Sequence, residues 1–386
     1  MRNSTSAPVF TTSAPVFTTS APVFTTSAPV FTITALVYGL GTSSNRPDYD
    51  MPEWIFSYIM EYISCAMVTV AFFGLIGNTI IIITLVKMGF ATPINISFCA
   101  LCISDCFYIV AIAWNAICFI PAFANSDLPF RARDVAIPTG GAVGNIFCGT
   151  TAWITAYISL ERCLCAVFPL KIKKIVSPGK TLFSVCAIFI VTVPFIYLPF
   201  YDFVFYTQFD EDKNQTFIGV EKRNTALAKS IHRAHFIYRA VFVYSLPLVI
   251  ILVCSVALAV SLKRSISWRQ RQSSKSVEIN NSSQQRSSKD ARVVKTVLAL
   301  ATVYIFLGGL SSVRTLVTLM WPEFLVTGPY GRWNRSTASL TSLFSLINSS
   351  VNVLIYYKTG SKFRKTVNQM VCLNYGQPQS RFCLRL

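Results

Sequence analysis

The chain has 386 residues, of which 53% are hydrophobic and only 13% charged, with a formal net charge of +18. Soluble domains carry about 25% charged residues, so this composition excludes an ordinary water-soluble fold and points to a membrane protein. The basic excess, followed along the chain, tracks the two sides of that membrane and anionic inner-leaflet lipid better than a nucleic acid.

Residues 6–32 are four near-copies of Ser-Ala-Pro-Val-Phe-Thr-Thr, beginning at Ser6, Ser13, Ser20 and Ser27. A proline in every copy (Pro8, Pro15, Pro22, Pro29) removes helical hydrogen bonds, so the seven-residue period is not a coiled coil. The Ser/Thr/Pro composition fits an extended stalk open to O-glycosylation, or a tandem duplication without a role. Residues 33–60 continue it as a tethered tail, and the first 60 residues show no charged n-region followed by an apolar core, so no secretory signal is expected.

Apolar runs follow at about 65–86, 92–120, 138–160, 181–201, 238–262, 293–321 and 339–357. Each can hold the roughly 20 residues that cross the hydrocarbon, and seven crossings put the termini on opposite sides. With the N-terminus outside, the inner segments carry 21 of the 34 Lys+Arg and three acids (Glu161, Glu278, Asp290), while the outer segments carry 13 basic and 12 acidic residues. The Lys/Arg bias sets orientation, so we expect an all-α membrane protein, a seven-transmembrane helix bundle with its N-terminus extracellular. The sequons at Asn3, Asn214 and Asn334 fall outside and are candidate glycosylation sites, although Asn280 and Asn281 head sequons in an inner loop. Most of the 12 cysteines lie in spans or inner segments, and the outer loops at 121–136, 202–236 and 322–338 hold none, so buried thiols rather than a disulfide framework are expected.

Charges inside such spans are costly and mark function. Asp105 stands in the second span, where Asn78, Thr151, Asn348, Ser349 and Asn352 are the polar groups able to meet it. Oxygen ligands of this kind suit a hard cation, and a hydrogen-bond network without an ion is the alternative. Glu161-Arg162 ends the third, otherwise nearly uncharged span. Residues 264–292, rich in Ser, Gln, Lys and Arg, read as a flexible inner loop with phosphorylation candidates such as Ser273, Ser274, Ser287 and Ser288. From Lys358 to Leu373, Phe363, Val367, Met370 and Val371 recur at helical spacing opposite Lys358, Lys362, Arg364 and Lys365. That pattern predicts an amphipathic helix on the inner leaflet, with Cys372 as a palmitoylation candidate. The expected divisions are a tail at 1–60, a membrane domain at 61–357, a surface helix at 358–373 and a short cytoplasmic tail at 374–386.

Taken together these residues resemble the rhodopsin-like (class A) G-protein-coupled receptors over about residues 60–373. Gly77-Asn78 and Ser104-Asp105 resemble the family's first- and second-helix motifs, and Glu161-Arg162-Cys163 is similar to its Asp/Glu-Arg-Tyr motif. Pro247 is similar to its fifth-helix proline, and Asn352-Val353-Leu354-Ile355-Tyr356 resembles its Asn-Pro-x-x-Tyr motif with Val for Pro. Within the class, the stretches 154–165 and 347–353 look most like molluscan chemosensory receptors and their peptide-receptor relatives. The resemblance implies that Arg162 pairs inward at rest, with Asp290 as its partner, and meets a heterotrimeric G-protein when active. It implies that Tyr356 moves toward that inner cavity, and that Asp105, Asn78, Thr151, Asn348, Ser349 and Asn352 form a sodium pocket. Arrestin and receptor kinases are further implied partners. Departures accompany it. The family's outer disulfide is absent at both ends, with Ile137 at one of them; Leu307-Gly308-Gly309-Leu310 replaces the sixth-helix hinge, and Ser255 replaces the fifth-helix Tyr.

The family's amine-binding acid would stand at Gly144, which argues against a monoamine ligand. On the family's template Arg239 and Arg314 face the ligand cavity, where arginine matches carboxylates, and Trp114, Asn115, Asn145, Tyr238 and Tyr244 complete a mixed pocket. A chemosensory small molecule with an anionic group is the expected ligand; the alternatives are a neuropeptide, or arginines that merely reach lipid headgroups. Enzymatic activity is not expected: His232 and His235 sit at i, i+3 with no further His or Cys near. Residues 339–357 hold no lysine for a retinal linkage, and the paired repeats of a transporter or channel are not seen. The expected protein is a multi-pass plasma-membrane receptor.

Overall fold

The computed structural model describes residues 50–168, 176–192, 200–201, 203–210, 214–273, 281–326 and 328–374. The repeats at 6–32, Asn3 and residues 375–386 lie outside them, as do the side chains of 268–291 and of 371–374.

Helix α1 (Glu53–Met88) follows Pro52, whose extended backbone leads the chain in, and ends at Gly89, where a φ of 79° needs a residue without Cβ. Helix α2 (Pro93–Ile117) has proline in its first turn, where the missing N–H is no loss. The chain then passes Ala132–Ala136 and a π-helical segment, Ile137–Ala142, into α3 (Val143–Val167). Helix α4 is described over Pro178–Thr192. Helix α5 joins Ala226–Tyr238, a π segment Arg239–Ser245 and Leu246–Ser273; α6 joins Asn281–Val303, a π segment Tyr304–Gly308 and Gly309–Met320. Helix α7 runs Gly331–Ser350 and, past a break at Val351, Asn352–Thr359; α8 is Ser361–Asn374.

Among the described residues five stretches are long and apolar enough to cross a membrane: Glu53–Met88, Pro93–Ile117, Ala226–Ser267, Arg292–Met320 and Gly331–Thr359. Helix α3 has the length, but Gly144, Gly149, Thr150, Thr151, Thr155 and Ser159 dilute its apolarity. All six are buried, because α3 packs between α2 and α5, where small and hydroxylated side chains let helices approach and bond. Apolar residues lie on both sides of the bundle. Ile81, Leu101, Ile154, Ile158, Leu258, Val297 and Leu300 form a shared core in its inner half. Phe72, Phe107, Phe183, Val253 and Phe306 face outward and are more than half exposed, as lipid-facing side chains must be.

Between α4 and α5 the described residues include a two-stranded hairpin. Strand β1 (Phe203–Asp210) pairs antiparallel with β2 (Gln215–Lys222) in register Phe203↔Lys222 to Asp210↔Gln215, with Asn214 in the turn at φ 50°. This hairpin departs from an all-helical fold. It is tied to the α2–α3 connection by a backbone bridge between Phe130 and Ile218 and by the Arg131 guanidinium 4.4 Å over the Phe217 ring.

Other boundaries differ from expectation. Helix α1 begins at Glu53, within the segment assigned to the tail, and the tail's end is anchored: both Asp50 carboxylate oxygens accept from the Arg332 backbone N–H at the start of α7, at 2.9 and 3.0 Å. The expected flexible loop at 264–292 is instead helical to Ser273 and again from Asn281. It holds no Gly or Pro to stop either helix.

Candidate functional site

Three polar groups of sites occur along the bundle. At mid-depth Asp105 is fully buried. Its Oδ1 accepts from Thr151 Oγ1 at 2.9 Å and Ser349 Oγ at 2.8 Å, and its Oδ2 from Asn352 Nδ2 at 2.7 Å. Helices α2, α3 and α7 therefore meet on one carboxylate. The break at Val351 places Ser349 and Asn352 on either side of it, although no proline stands there. Asn348 does not bond to Asp105 but lines a small cavity with it, together with Thr151, Thr155, Tyr304 and Asn352. Asn78 is also buried, yet its Nδ2 donates to Gly74 O and Ser349 O, both at 2.9 Å, so it braces α1 to α7 rather than touching the acid. Thr155 was missed from the sequence, though it lies one turn from Thr151 on the same face. The carboxylate, hydroxyl and amide oxygens around the cavity suit a small hard cation such as sodium, and no cationic side chain among the described residues pairs with Asp105.

At the C-terminal end of α3, Glu161 is buried and Arg162 nearly so, and Arg162 Nη2 donates to Glu161 Oε1. Neighbouring residues on a helix point about 100° apart, so the long arginine has to fold back to reach its neighbour. Ser97 Oγ adds a long contact of 3.5 Å to Glu161 Oε2. Asp290, the expected partner of Arg162, lies on α6, but its side chain is outside the described residues. Cys163 faces Cys254 across α3 and α5. The Tyr356 ring packs on Phe98 at 4.7 Å and Phe363 at 5.8 Å, and its hydroxyl, with Ser255 Oγ and Arg162 Nε, is buried without a hydrogen-bond partner among the described residues. Two contacts here had no signal in the sequence. Thr296 Oγ1 on α6 donates to Thr359 Oγ1 at the end of α7 at 2.7 Å, and Arg292 Nη1 donates to Ser361 Oγ at 2.5 Å.

Toward the opposite end of the bundle, Pro247 follows the π segment of α5, which carries both Arg239 and Tyr244. Arg239 Nη2 donates to Asn145 Oδ1 at 2.9 Å and to Tyr244 Oη at 3.0 Å, and Tyr244 Oη donates to Asn145 Oδ1 at 3.0 Å. Asn145 is oriented by its own Nδ2, which bonds Gly141 O at 2.8 Å. Arg314 on α6 lies within electrostatic reach of Tyr244 and Arg239. The Nε atoms of both arginines are buried without partners among the described residues. The other expected pocket residues make further contacts of their own. Trp114 bonds Thr139 Oγ1 at 2.9 Å and packs with Phe123 and Phe130 in the cluster under the hairpin. Asn115 packs on Gly140 of the α3 entry, and Tyr238 stacks on the outward-facing Phe242. Gly144, where an amine-binding acid would stand, holds α3 close to α2: a Cβ there would lie 2.6 Å from Ile112 Cδ1.

Of the glycosylation candidates, Asn214 is exposed in the hairpin turn. Asn334 is a correction. It is 2% exposed, and its Nδ2, the atom a glycan would occupy, donates to Thr318 Oγ1 at 3.2 Å and Phe324 O at 2.5 Å. Asn3 and the Cys372 thiol lie outside the described residues.

A family model described as the 7 transmembrane receptor (rhodopsin family) matches residues 77–356. Among solved structures, squid rhodopsin is similar in fold, with a TM-score of 0.60 and 17% sequence identity over 86% of this chain and 90% of that one. No curated protein matches the sequence.

Proposed function

This chain belongs to the rhodopsin family of seven-transmembrane receptors, and from that we propose that it carries an extracellular chemical signal to a heterotrimeric G-protein at the plasma membrane, without covalent chemistry. The N-terminus and the hairpin face outward in this reading, in keeping with the Lys/Arg bias of the inner segments. The tail, the helical domain and α8 with its basic residues then sit outside, within and on the inner leaflet, and α8 contacts anionic lipid. Cys372 is its acylation candidate, and arrestin and receptor kinases are further partners.

The ligand is a small chemosensory molecule bearing an anionic group. One observation carries this: Arg239 is bound by Asn145 and Tyr244, both neutral, while Arg314 lies within its electrostatic reach, and no acid among the described residues pairs with either. A buried cation without a counter-ion costs several kcal/mol, and a carboxylate arriving from outside would relieve that. Kinship to molluscan chemosensory receptors rests on the stretches 154–165 and 347–353. A neuropeptide with an acidic residue or free C-terminus satisfies the same chemistry.

The test is a cell assay with promiscuous G-proteins, screening organic acids, amino acids and small peptides against the parent chain and against Arg239→Gln and Arg314→Gln. Loss of potency for an acid in both variants supports the reading. An agonist without a negative charge, equally potent on all three, sinks it.

A further inference from the structure

We infer that the resting state is held by a polar latch between the lower half of α6 and the α7–α8 turn: Thr296 on Thr359 and Arg292 on Ser361. This rests on the G-protein reading for its consequence, but not for its geometry.

Helix α6 is built in two pieces. Its π segment Tyr304–Gly308 ends on the Gly308-Gly309 pair, and a wide helical turn followed by two glycines is a weak point where a helix bends. Below it the helix runs from Arg292 to Val303 beside α3 and α5, with Val297 and Leu300 in the shared core. Apolar contacts of this kind slide without directional penalty. Hydrogen bonds do not, because they lose most of their strength within an ångström. Among the described residues, the side-chain hydrogen bonds from this lower piece to other helices are the two latch contacts.

The latch is specific in its proton accounting. Thr359 Oγ1 donates back to Ile355 O at 2.6 Å, which leaves its lone pairs free to accept; Thr296 Oγ1 divides its one proton between Thr359 Oγ1 at 2.7 Å and Arg292 O of its own helix at 3.0 Å, the contact between helices being the shorter. Thr296 is 5% exposed, so water competes poorly for its hydroxyl. The Arg292–Ser361 contact is exposed, so water competes with it, and it lies one helical turn before Thr296. Beside the latch, Tyr356 of α7 packs on Phe363 of α8. Breaking the latch therefore frees the lower half of α6 to turn about its glycine pair and uncovers the inner mouth around Arg162. Each hydroxyl bond lost should favour the open form by roughly two- to tenfold.

Basal signalling and distance test this without knowledge of the ligand. Thr296→Val and Thr359→Val, singly and together, keep side-chain shape and remove the bond. Genetically encoded spin labels at the exposed Lys295 and Lys365 report the separation of α6 and α8 in purified receptor. Agonist-independent nucleotide exchange, per receptor at the surface, is read on a panel of purified heterotrimers. We expect the double variant to lengthen the separation and to raise basal exchange several-fold. In Thr296→Cys/Thr359→Cys, the two oxygens at 2.7 Å are replaced by sulfurs that close to about 2 Å on oxidation. That crosslink should hold the short distance and suppress exchange until reductant is added. An unchanged separation in the valine variants overturns the latch. So does a formed crosslink that leaves exchange untouched, which decides the matter if the valine variants fail to reach the surface. A separation that lengthens with no heterotrimer responding upholds the latch and refutes the G-protein reading instead.

Discussion

Arg131 donates its backbone N–H to the Ile218 carbonyl at 2.9 Å, and Ile218 N–H returns a bond to Pro129 O at 2.8 Å. The hairpin is thus fastened to the α2–α3 connection by main-chain pairing, with the Arg131 guanidinium over Phe217 as a side-chain clasp. No disulfide is formed among the cysteines whose side chains are described. The clamp that positions the hairpin is therefore non-covalent among the described residues. Two results should follow for purified receptor. Reductant should leave its thermal midpoint unchanged, and Arg131→Ala should destabilise it by about 1 kcal/mol, the usual size of a cation–π contact.

At mid-depth, three neutral donors hold the Asp105 carboxylate and none of them cancels its charge. A buried negative charge without a cation is costly, so sodium in place of choline should raise the thermal midpoint of the parent receptor. Asp105→Asn should abolish the difference. Equal midpoints for the parent in both salts would leave Asp105 held by hydrogen bonds alone. Ser349→Ala removes one charged hydrogen bond and should cost about 1.5–3 kcal/mol of stability in either salt.

In the outer pocket, Tyr244 Oη bridges Arg239 and Asn145. Tyr244→Phe keeps the ring and removes the bridge, so Arg239 loses part of its orientation but none of its charge. Agonist potency should fall by about three- to tenfold, the worth of one hydrogen bond, while Arg239→Gln should cause the larger loss. A phenylalanine variant as damaged as the glutamine variant would make the hydroxyl itself a ligand contact.

The sequons separate cleanly. Asn214→Gln should remove a glycan and shift the apparent mass of the expressed receptor, because Asn214 is exposed in a turn. Asn334→Gln should leave the mass unchanged and instead lower stability by about 1–3 kcal/mol, since it disturbs two buried hydrogen bonds. A mass shift at Asn334 would contradict its burial.

How much of this was legible in the sequence depended on the kind of interaction. Asp105, Thr151, Ser349 and Asn352 stood out because a polar group in an apolar run has to find a partner, and the choice of partners is small. The long helices were legible for the same reason, through length and apolarity. The hairpin carried a signal that was passed over: Phe203-Val-Phe-Tyr-Thr and Gln215-Thr-Phe-Ile-Gly-Val are rich in β-branched and aromatic residues around a polar turn. Membership in an outer loop hid it. The contacts of Trp114 with Thr139 and of Tyr238 with Phe242 were not legible, because the π segments at Ile137–Ala142 and Arg239–Ser245 widen the helical turns beside them. The Thr296–Thr359 contact depends on two helices meeting 63 residues apart in sequence, and neither threonine is unusual on its own.

The inner mouth supplies the last prediction. Arg162 folds back on Glu161, with the glutamate buried and 16% of the arginine side chain exposed. While that pair holds, the guanidinium is turned to its own helix and is unavailable to a partner docking at that end of the bundle. Glu161→Gln keeps the shape and removes the charge, so Arg162 is released and basal nucleotide exchange should rise by roughly tenfold, the lower end for a charged hydrogen bond. Asp290→Ala is the companion variant. If it raises basal exchange as well, an acid on α6 shares the arginine with Glu161; if it has no effect, the arginine is held within α3 alone. Combining Glu161→Gln with Thr296→Val then distinguishes one device from two. Additive free energies mark independent restraints on the inner mouth, and a double variant no more active than Glu161→Gln places both on a single closed state.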